Sequence, residues 1–337
     1  MVEGISSILQ PQEALVRNEG FFFLIQTAMT APILDPRLGT LDELRWHVGN
    51  TPLHPMLHLS PKPGVEIYAK LEWQQFGGSV KARPAFNILY NAVASGALRG
   101  RRLLDASSGN TGIAYAIFAA ASGIPVTLCI PENASKERKH ILRSLGVELI
   151  LTSPFESTDG SQDVARELAQ SQPDVYHYVD QYSNDANWMA HYNHTGVELW
   201  EETHHRITHF VAGLGTTGTF TGTGRRLKEF NQDIQLVALQ PETALHGLEG
   251  WKHLETARVP KIFDATVPDE TRLVTTEASY TMLKRAAKEE GLLISPSAAA
   301  NLAGAVQLAE EIEEGVIVTV LADDATKYSE VVERLLP

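Results

Sequence analysis

The chain has 337 residues, 43% of them hydrophobic and 20% charged, which is the composition of a globular protein long enough for two domains or one large α/β unit. A formal net charge of -13 argues against nonspecific attraction to nucleic acid or anionic membranes. Cys129 is the only cysteine and lies in the apolar run Val126–Ile130, so an internal disulfide is excluded and a buried strand thiol is expected.

From the N-terminus, residues 1–46 carry no readable motif and stand as an N-terminal extension in which Met29 is an alternative start. The apolar run Phe21 to Leu34 is broken by Gln26 and Pro32 and falls short of the roughly 20 residues a membrane helix needs. Glu3, Glu13 and Glu19 precede it in place of a basic leader, so a cytoplasmic protein is expected.

Arg102 to Ala106 reads as a strand that enters Ser107-Ser108-Gly109-Asn110-Thr111-Gly112, and Ile113 to Ala120 reads as a largely buried helix. Pro125 to Ile130 is the next strand, Glu132 to Leu145 a helix with one charged face, and Val147 to Leu151 a further strand. After about residue 185 the same order begins again. Ile207 to Ala212 is strand-like, Gly213 to Thr219 a turn, and Phe220 to Phe230 a helix; Gln235 to Gln240 and Val316 to Leu321 add strands. Repeated βαβ units predict parallel sheets covered by helices, with ligands beyond the carboxyl ends of the strands.

Three segments could carry chemistry. Gly213-Leu214-Gly215-Thr216-Thr217-Gly218-Thr219 combines glycines, hydroxyls and a helix N-terminus, the ingredients of a phosphate cradle, although a helix-capping turn uses the same residues. It lacks the ending of a nucleotide P-loop and the spacing of a dinucleotide fingerprint. Ser107 to Gly112 could hold a carboxylate through hydroxyl and backbone donors, or simply cap its helix. Lys81, in Gly77-Gly78-Ser79-Val80-Lys81-Ala82-Arg83-Pro84, follows a flexible turn; alone it would read as a surface charge. The three together are the parts needed to bind an amino acid covalently through pyridoxal phosphate (PLP).

In this order the segments resemble fold-type II PLP enzymes, and within them the cysteine synthase branch, with the Gly-Thr-Thr-Gly-Thr turn most like its B-type members. The similarity runs from Asn50-Thr51-Pro52-Leu53 through Lys70-Leu71-Glu72-Trp73, Gln181-Tyr182-Ser183-Asn184, Thr195-Gly196-Val197-Glu198 and Leu239-Gln240-Pro241-Glu242 to Tyr328. It implies two α/β domains, each with a twisted, mostly parallel sheet, and the cofactor in the cleft between them. Residues 47–185 would form the N-terminal domain, with part of 47–80 packed on the other, and residues 186–337 the C-terminal one.

By position the resemblance makes Lys81 the Schiff-base lysine, Asn110 the contact to the PLP 3′-oxygen, and Gly215, Thr216, Thr217, Gly218 and Thr219 the phosphate loop. Ser297 falls on the serine at the pyridine nitrogen, where a neutral hydroxyl leaves the ring a weaker electron sink and favours loss of a β-substituent. Ser297 also reads as a helix N-cap before Ala298. Ser107, Ser108, Gly109, Asn110, Thr111 and Gln181 fall on substrate-carboxylate contacts, and Gly247 on a glycine near one cofactor face. No metal is implied.

The reaction implied is β-replacement on O-acetylserine or O-phosphoserine by a sulfur nucleophile, through an aminoacrylate, to give L-cysteine. The enzyme would be a homodimer that meets small-molecule substrates, with a sulfur-carrier protein among the candidate donors. Rival readings are cystathionine β-synthase-like or amine-nucleophile replacement, a serine or threonine dehydratase, and a non-catalytic regulator, the last opposed by the intact Lys81 and phosphate loop. Gln75-Phe76, Ala82, Ala298-Ala299 and Ala325 depart from the usual pattern, and Glu249-Gly250-Trp251-Lys252 lacks the arginines that some relatives use for anionic substrates. His246 and Lys252 read as solvated loop residues.

Overall fold

Strands of alternating or continuous apolar residues build two sheets. The computed structural model describes residues 35–107 and 109–328, together with Val331, Glu333 and Leu335, so Ser108 and Met29 lie outside the described residues. In chain order the strands are β1 Leu53–Pro55, β2 Val65–Leu71, β3 Arg102–Ala106, β4 Val126–Pro131, β5 Glu148–Thr152, β6 Tyr176–Tyr178, β7 His209–Gly213, β8 Gln235–Pro241, β9 Glu270–Val274 and β10 Gly315–Leu321. The helices are α1 Pro36–Arg45, α2 Ala82–Ala94, α3 Asn110–Ala121, α4 Lys136–Ser144, α5 Ser157–Ser171, α6 Asp185–Ala190, α7 Gly196–Glu202, α8 Gly218–Phe230, α9 Thr276–Arg285 and α10 Pro296–Glu311.

The larger sheet has the order β1-β2-β10-β7-β8-β9, parallel except for β1, and the smaller has the order β5-β4-β3-β6, parallel throughout. Both faces of the larger sheet are apolar, as a parallel sheet under helices requires. Val211, Val237 and Ile317 pack toward α9 and α10, while their neighbours Phe210, Leu236 and Val316 pack toward Phe220 and Leu227 of α8. In the smaller sheet Leu103 and Leu128 face α2 and α3, while Leu104 and Cys129 face Ala165 of α5. Cys129 is fully buried, and burial pushes its thiol up to about 12, so it stays protonated. Among the described residues no helix is long and apolar enough to cross a membrane.

The parallel strands end where the chain enters the candidate segments. β2 leads to the Lys81 turn, β3 to Ser107, β7 to the glycine–threonine turn and β10 to Asp323. Asn301 of α10 holds two of these ends together: its Oδ1 accepts from Gly213 N at 2.7 Å and its Nδ2 donates to Val320 O at 2.6 Å.

Candidate active site

The turn before α2 is built for close passage. Gly77 and Gly78 adopt φ of 102° and 61°, and a Cβ on Gly77 would stand 2.9 Å from that of Ala82. Val80 N donates to Ala322 O at 2.8 Å, which pins the turn to the end of β10. Lys81 follows as the N-cap of α2 and lines a cavity of about 730 Å³. Its Nζ has no hydrogen-bond or ion-pair partner among the described residues. Burial lowers its pKa, with Asp323 and Glu72 pulling the other way, and the helix N-terminus also disfavours a cation.

A buried ionic network supports the turn from behind. Arg83 donates to both oxygens of Glu72 at 2.7 Å and to Glu198 at 2.6 and 2.8 Å. Lys70, fully buried, bridges Glu198 and Glu202. Gln75 stitches this network to the chain: its Nε2 donates to Glu72 Oε2 at 2.9 Å and to Ser79 O at 3.2 Å, and its Oε1 accepts from Gly49 N at 3.0 Å.

At the end of β3, Ser107 Oγ accepts from Gly112 N at 3.1 Å, so this hydroxyl caps the first turn of α3. Thr111 Oγ1 donates to Gln181 Oε1 at 2.8 Å, and Gln181 Nε2 donates to Ala106 O at 3.1 Å. Ser107, Gly109, Asn110, Thr111 and Gln181 all line the cavity that Lys81 enters.

Gly215, Thr216, Thr217 and Thr219 line the same cavity. The glycines answer chiefly to protein neighbours. A Cβ on Gly213 would meet Trp251 at 2.1 Å, one on Gly215 the Gly250 carbonyl at 2.1 Å, and one on Gly218 the Asn187 amide at 2.0 Å. Thr217 takes φ 71° as the N-cap of α8 without a side-chain cap bond, and its Oγ1 is buried without a partner among the described residues. The first-turn N–H groups of α8 therefore lack a side-chain acceptor, the condition under which a helix N-terminus binds an anion. Thr219 Oγ1 is held 3.2 Å from His191 Nε2, whose Nδ1 meets Thr195 Oγ1 at 3.0 Å. Burial pushes the His191 pKa well down, which keeps the ring neutral.

Two expectations need correction on α10 and the cavity rim. Ser295, not Ser297, is the N-cap of α10, because Pro296 occupies the first helical position and Ser295 Oγ accepts from Ala298 N at 3.2 Å. Ser297 is thereby free of capping; it is buried, lines the cavity and meets Ser295 Oγ at 3.1 Å. Lys252 is no solvated loop residue: its Nζ pairs with Asp159 Oδ1 at 2.9 Å, lies over the Tyr182 ring and, like His246, belongs to the cavity wall. Gly247 is not among the lining residues. Its N donates to Thr276 Oγ1 at 3.0 Å, and a Cβ there would meet Tyr280 and Thr276 of α9.

Sequence reading missed four wall or support residues. Arg138 of α4 pairs with both carboxylate oxygens of Glu249 and lies over the Tyr328 ring. Asp323 and Lys327 hold the two ends of the Asn110 amide. Asp323, Lys327 and Tyr328 lay inside or beside the recognised C-terminal end of the similarity, so that signal was available; the Arg138–Glu249 pair spans 111 residues and left none.

A free, half-buried amine, uncapped helix N–H groups beside an unpartnered threonine hydroxyl, and a separate hydroxyl and amide cluster share one cavity. These residues fit a group bearing both a phosphate and a carbonyl. Comparison with known proteins agrees. The family described as "Pyridoxal-phosphate dependent enzyme" matches residues 44–323. The chain is 48% identical over 83% of its length to a cysteine synthase of Aquifex aeolicus, of which it covers 88%. It is 36% identical over 86% of its length to cysteine synthase B of Escherichia coli, of which it covers 94%. The crystal structure of an O-acetylserine dependent cystathionine beta-synthase from Helicobacter pylori superposes with a TM-score of 0.79 at 30% identity, covering 85% of this chain and 96% of that one. The chain therefore belongs to the pyridoxal-phosphate dependent enzymes of fold type II, within the cysteine synthase family.

Proposed function

We propose that this protein replaces the β-substituent of an activated serine, O-acetylserine or O-phosphoserine, with a sulfur nucleophile and so forms L-cysteine. The observation that carries this reading is the unpartnered amine of Lys81 in one cavity with the α8 turn and with Ser107, Gly109, Asn110 and Thr111. PLP, when bound, supplies an electron sink for the substrate carbon that bears the amino group. Lys81 would hold the cofactor, and its amine, whose charged form desolvation disfavours, would take the substrate Cα proton and later return it.

Gly215, Thr216, Thr217, Gly218 and Thr219 would hold the phosphate at the N-terminus of α8. Ser297, a neutral hydroxyl, would face the pyridine nitrogen without fixing a proton there. Asn110 would meet the ring oxygen, and Ser107, Thr111 and Gln181, with Ser108 and Gly109, would hold the substrate carboxylate. By its resemblance to the family Gly247 would lie near the cofactor, although its contacts here run to α9. The family resemblance further supports a cytoplasmic homodimer with its two domains meeting near residue 185, and a thiocarboxylate carrier protein as one candidate donor.

The test is product analysis. Protein loaded with PLP receives O-acetylserine or O-phosphoserine with sulfide, thiosulfate or homocysteine, and the products are identified by mass spectrometry. Cysteine from one serine ester with sulfide is expected, with turnover lost in Lys81→Ala. Cystathionine as the dominant product would move the protein to thiol-amino-acid replacement, and pyruvate alone would overturn β-replacement. Light scattering at twice the chain mass would support the dimer.

A further inference from the structure

The amide of Asn110 is held between two groups that dictate its orientation. Its Nδ2 lies 2.7 Å from Asp323 Oδ2, and its Oδ1 lies 3.1 Å from Lys327 Nζ. A carboxylate only accepts hydrogen bonds and an ammonium only donates, so the reversed amide would set acceptor against acceptor and donor against donor. Both clamping groups are themselves anchored. Asp323 is fully buried, and its Oδ2 also accepts from Tyr328 Oη at 2.7 Å, while its carbonyl accepts from Ser295 N at 3.3 Å. Lys327 Nζ also donates to Gly78 O at 2.9 Å, in the turn that delivers Lys81.

One hydrogen of the Asn110 amide is consumed by Asp323, so one N–H remains, and Asn110 lines the cavity. Asp323 Oδ1 is buried without a partner among the described residues, and the charge of Asp323 opposes the burial that lowers the Lys81 pKa. The clamp therefore borders both groups that would meet the cofactor.

We propose that Asp323 and Lys327 are positioning residues that lock Asn110 so that its remaining amide N–H is presented as a donor to an anionic ring oxygen of the bound cofactor. This rests on the functional reading above. Without Lys327 the amide can reverse and present its carbonyl oxygen, which repels an oxyanion and accepts only if that oxygen keeps a proton.

The experiment reconstitutes apo-protein with PLP and measures both the dissociation constant and the position of the visible absorption band. Lys327→Met should weaken PLP binding about tenfold, the scale of one charge-assisted hydrogen bond. It should also move the band toward the near-ultraviolet, because the ring oxygen then keeps a proton in place of a hydrogen bond. Lys327→Arg, which retains a donor, should recover most of both, and Lys327→Gln gives an intermediate case if the methionine variant does not fold. In an Asn110→Ala background Lys327→Met should shift the band no further and cost clearly less affinity than it does beside Asn110, the remainder being the lost contact to Gly78 O.

Wild-type affinity and band in Lys327→Met would overturn the clamp, as would an equal effect of that change without Asn110. A wild-type protein that binds no PLP would overturn the functional reading and the clamp with it, and that outcome is visible before any variant is made.

Discussion

Lys81 is half-buried and Asp105 fully buried, and desolvation acts on them in opposite directions. The Lys81 pKa falls below its ordinary value. The native state then pays to carry its proton at lower pH, and that cost is relieved as pH rises toward the unfolded lysine value. Asp105, at the end of β3, accepts from Ala106 N at 2.8 Å through Oδ1, while its Oδ2 is buried without a partner among the described residues. Burial raises its pKa from 3.8 to about 8, so the native carboxyl binds a proton more tightly than the unfolded one. Its contribution to stability is complete below the unfolded value and is lost as pH rises through the folded one. We expect the melting temperature of the wild type to fall with pH between about 4 and about 8 more steeply than that of Asp105→Asn, whose amide mimics the protonated acid. Parallel slopes in the two proteins would show that Asp105 ionises freely.

Between residues and fold stands the buried network behind the Lys81 turn. Arg83 is nearly inaccessible and bonds both Glu72 and Glu198. Arg83→Leu should therefore leave Glu72 buried without a counter-charge and Glu198 with Lys70 alone, and lower stability by about 3–5 kcal/mol in urea unfolding. At the other turn, Gly215→Ala would drive a methyl against the Gly250 carbonyl. It should cost about 1–3 kcal/mol and weaken PLP binding, since the Gly250 loop must move.

The elements of this site that were legible in the sequence are those with local signals. β3, its turn and α3 read correctly because an apolar run, small hydroxyl residues and a second apolar run follow one another. β9 was not legible because it is a largely exposed edge strand without a hydrophobic face. The Ala-rich α10 is buried on most sides and lacks an amphipathic stripe, so its length was hidden although Ser297 was found. Helix α1 lay in a stretch read as motif-free, although Asp35 before Pro36 is a serviceable cap and start signal. The expected helix from Glu132 begins only at Lys136, because Ser135 takes the N-cap and accepts from Arg138 N. The Asn110 clamp joins positions 213 and 217 residues apart, and no local pattern encodes such a contact.

Across the whole molecule, ion pairs join the two sheet systems at the rim of the cavity. Arg138 of α4 meets Glu249, Lys252 meets Asp159 of α5 at 2.9 Å, and Arg258 meets Asp163 of α5 at 2.8 Å. Only Arg258–Asp163 is exposed on both sides; Arg138 and Lys252 are mostly covered, but their carboxylate partners reach solvent, so each pair contributes modestly and is partly screened by salt. Glu249→Gln should speed amide hydrogen exchange of residues 245–258 several-fold, and high salt should narrow the difference from wild type. Equal exchange at low salt would mean that backbone packing alone holds this segment.

The same cavity collects chain ends from both sheets around a single unpartnered amine, and the account depends on that amine being the attachment point. Lys81 and Lys252 line the cavity and Lys327 is bonded to Asn110; of these three only Lys81 has a free Nζ among the described residues, since Lys252 pairs with Asp159 and Lys327 is engaged by Gly78 and Asn110. The most direct measurement is borohydride reduction of the PLP-loaded protein followed by peptide mass mapping. The account predicts one phosphopyridoxyl group per chain, on Lys81; a group on Lys252 or Lys327, or none on any of the three, would contradict it.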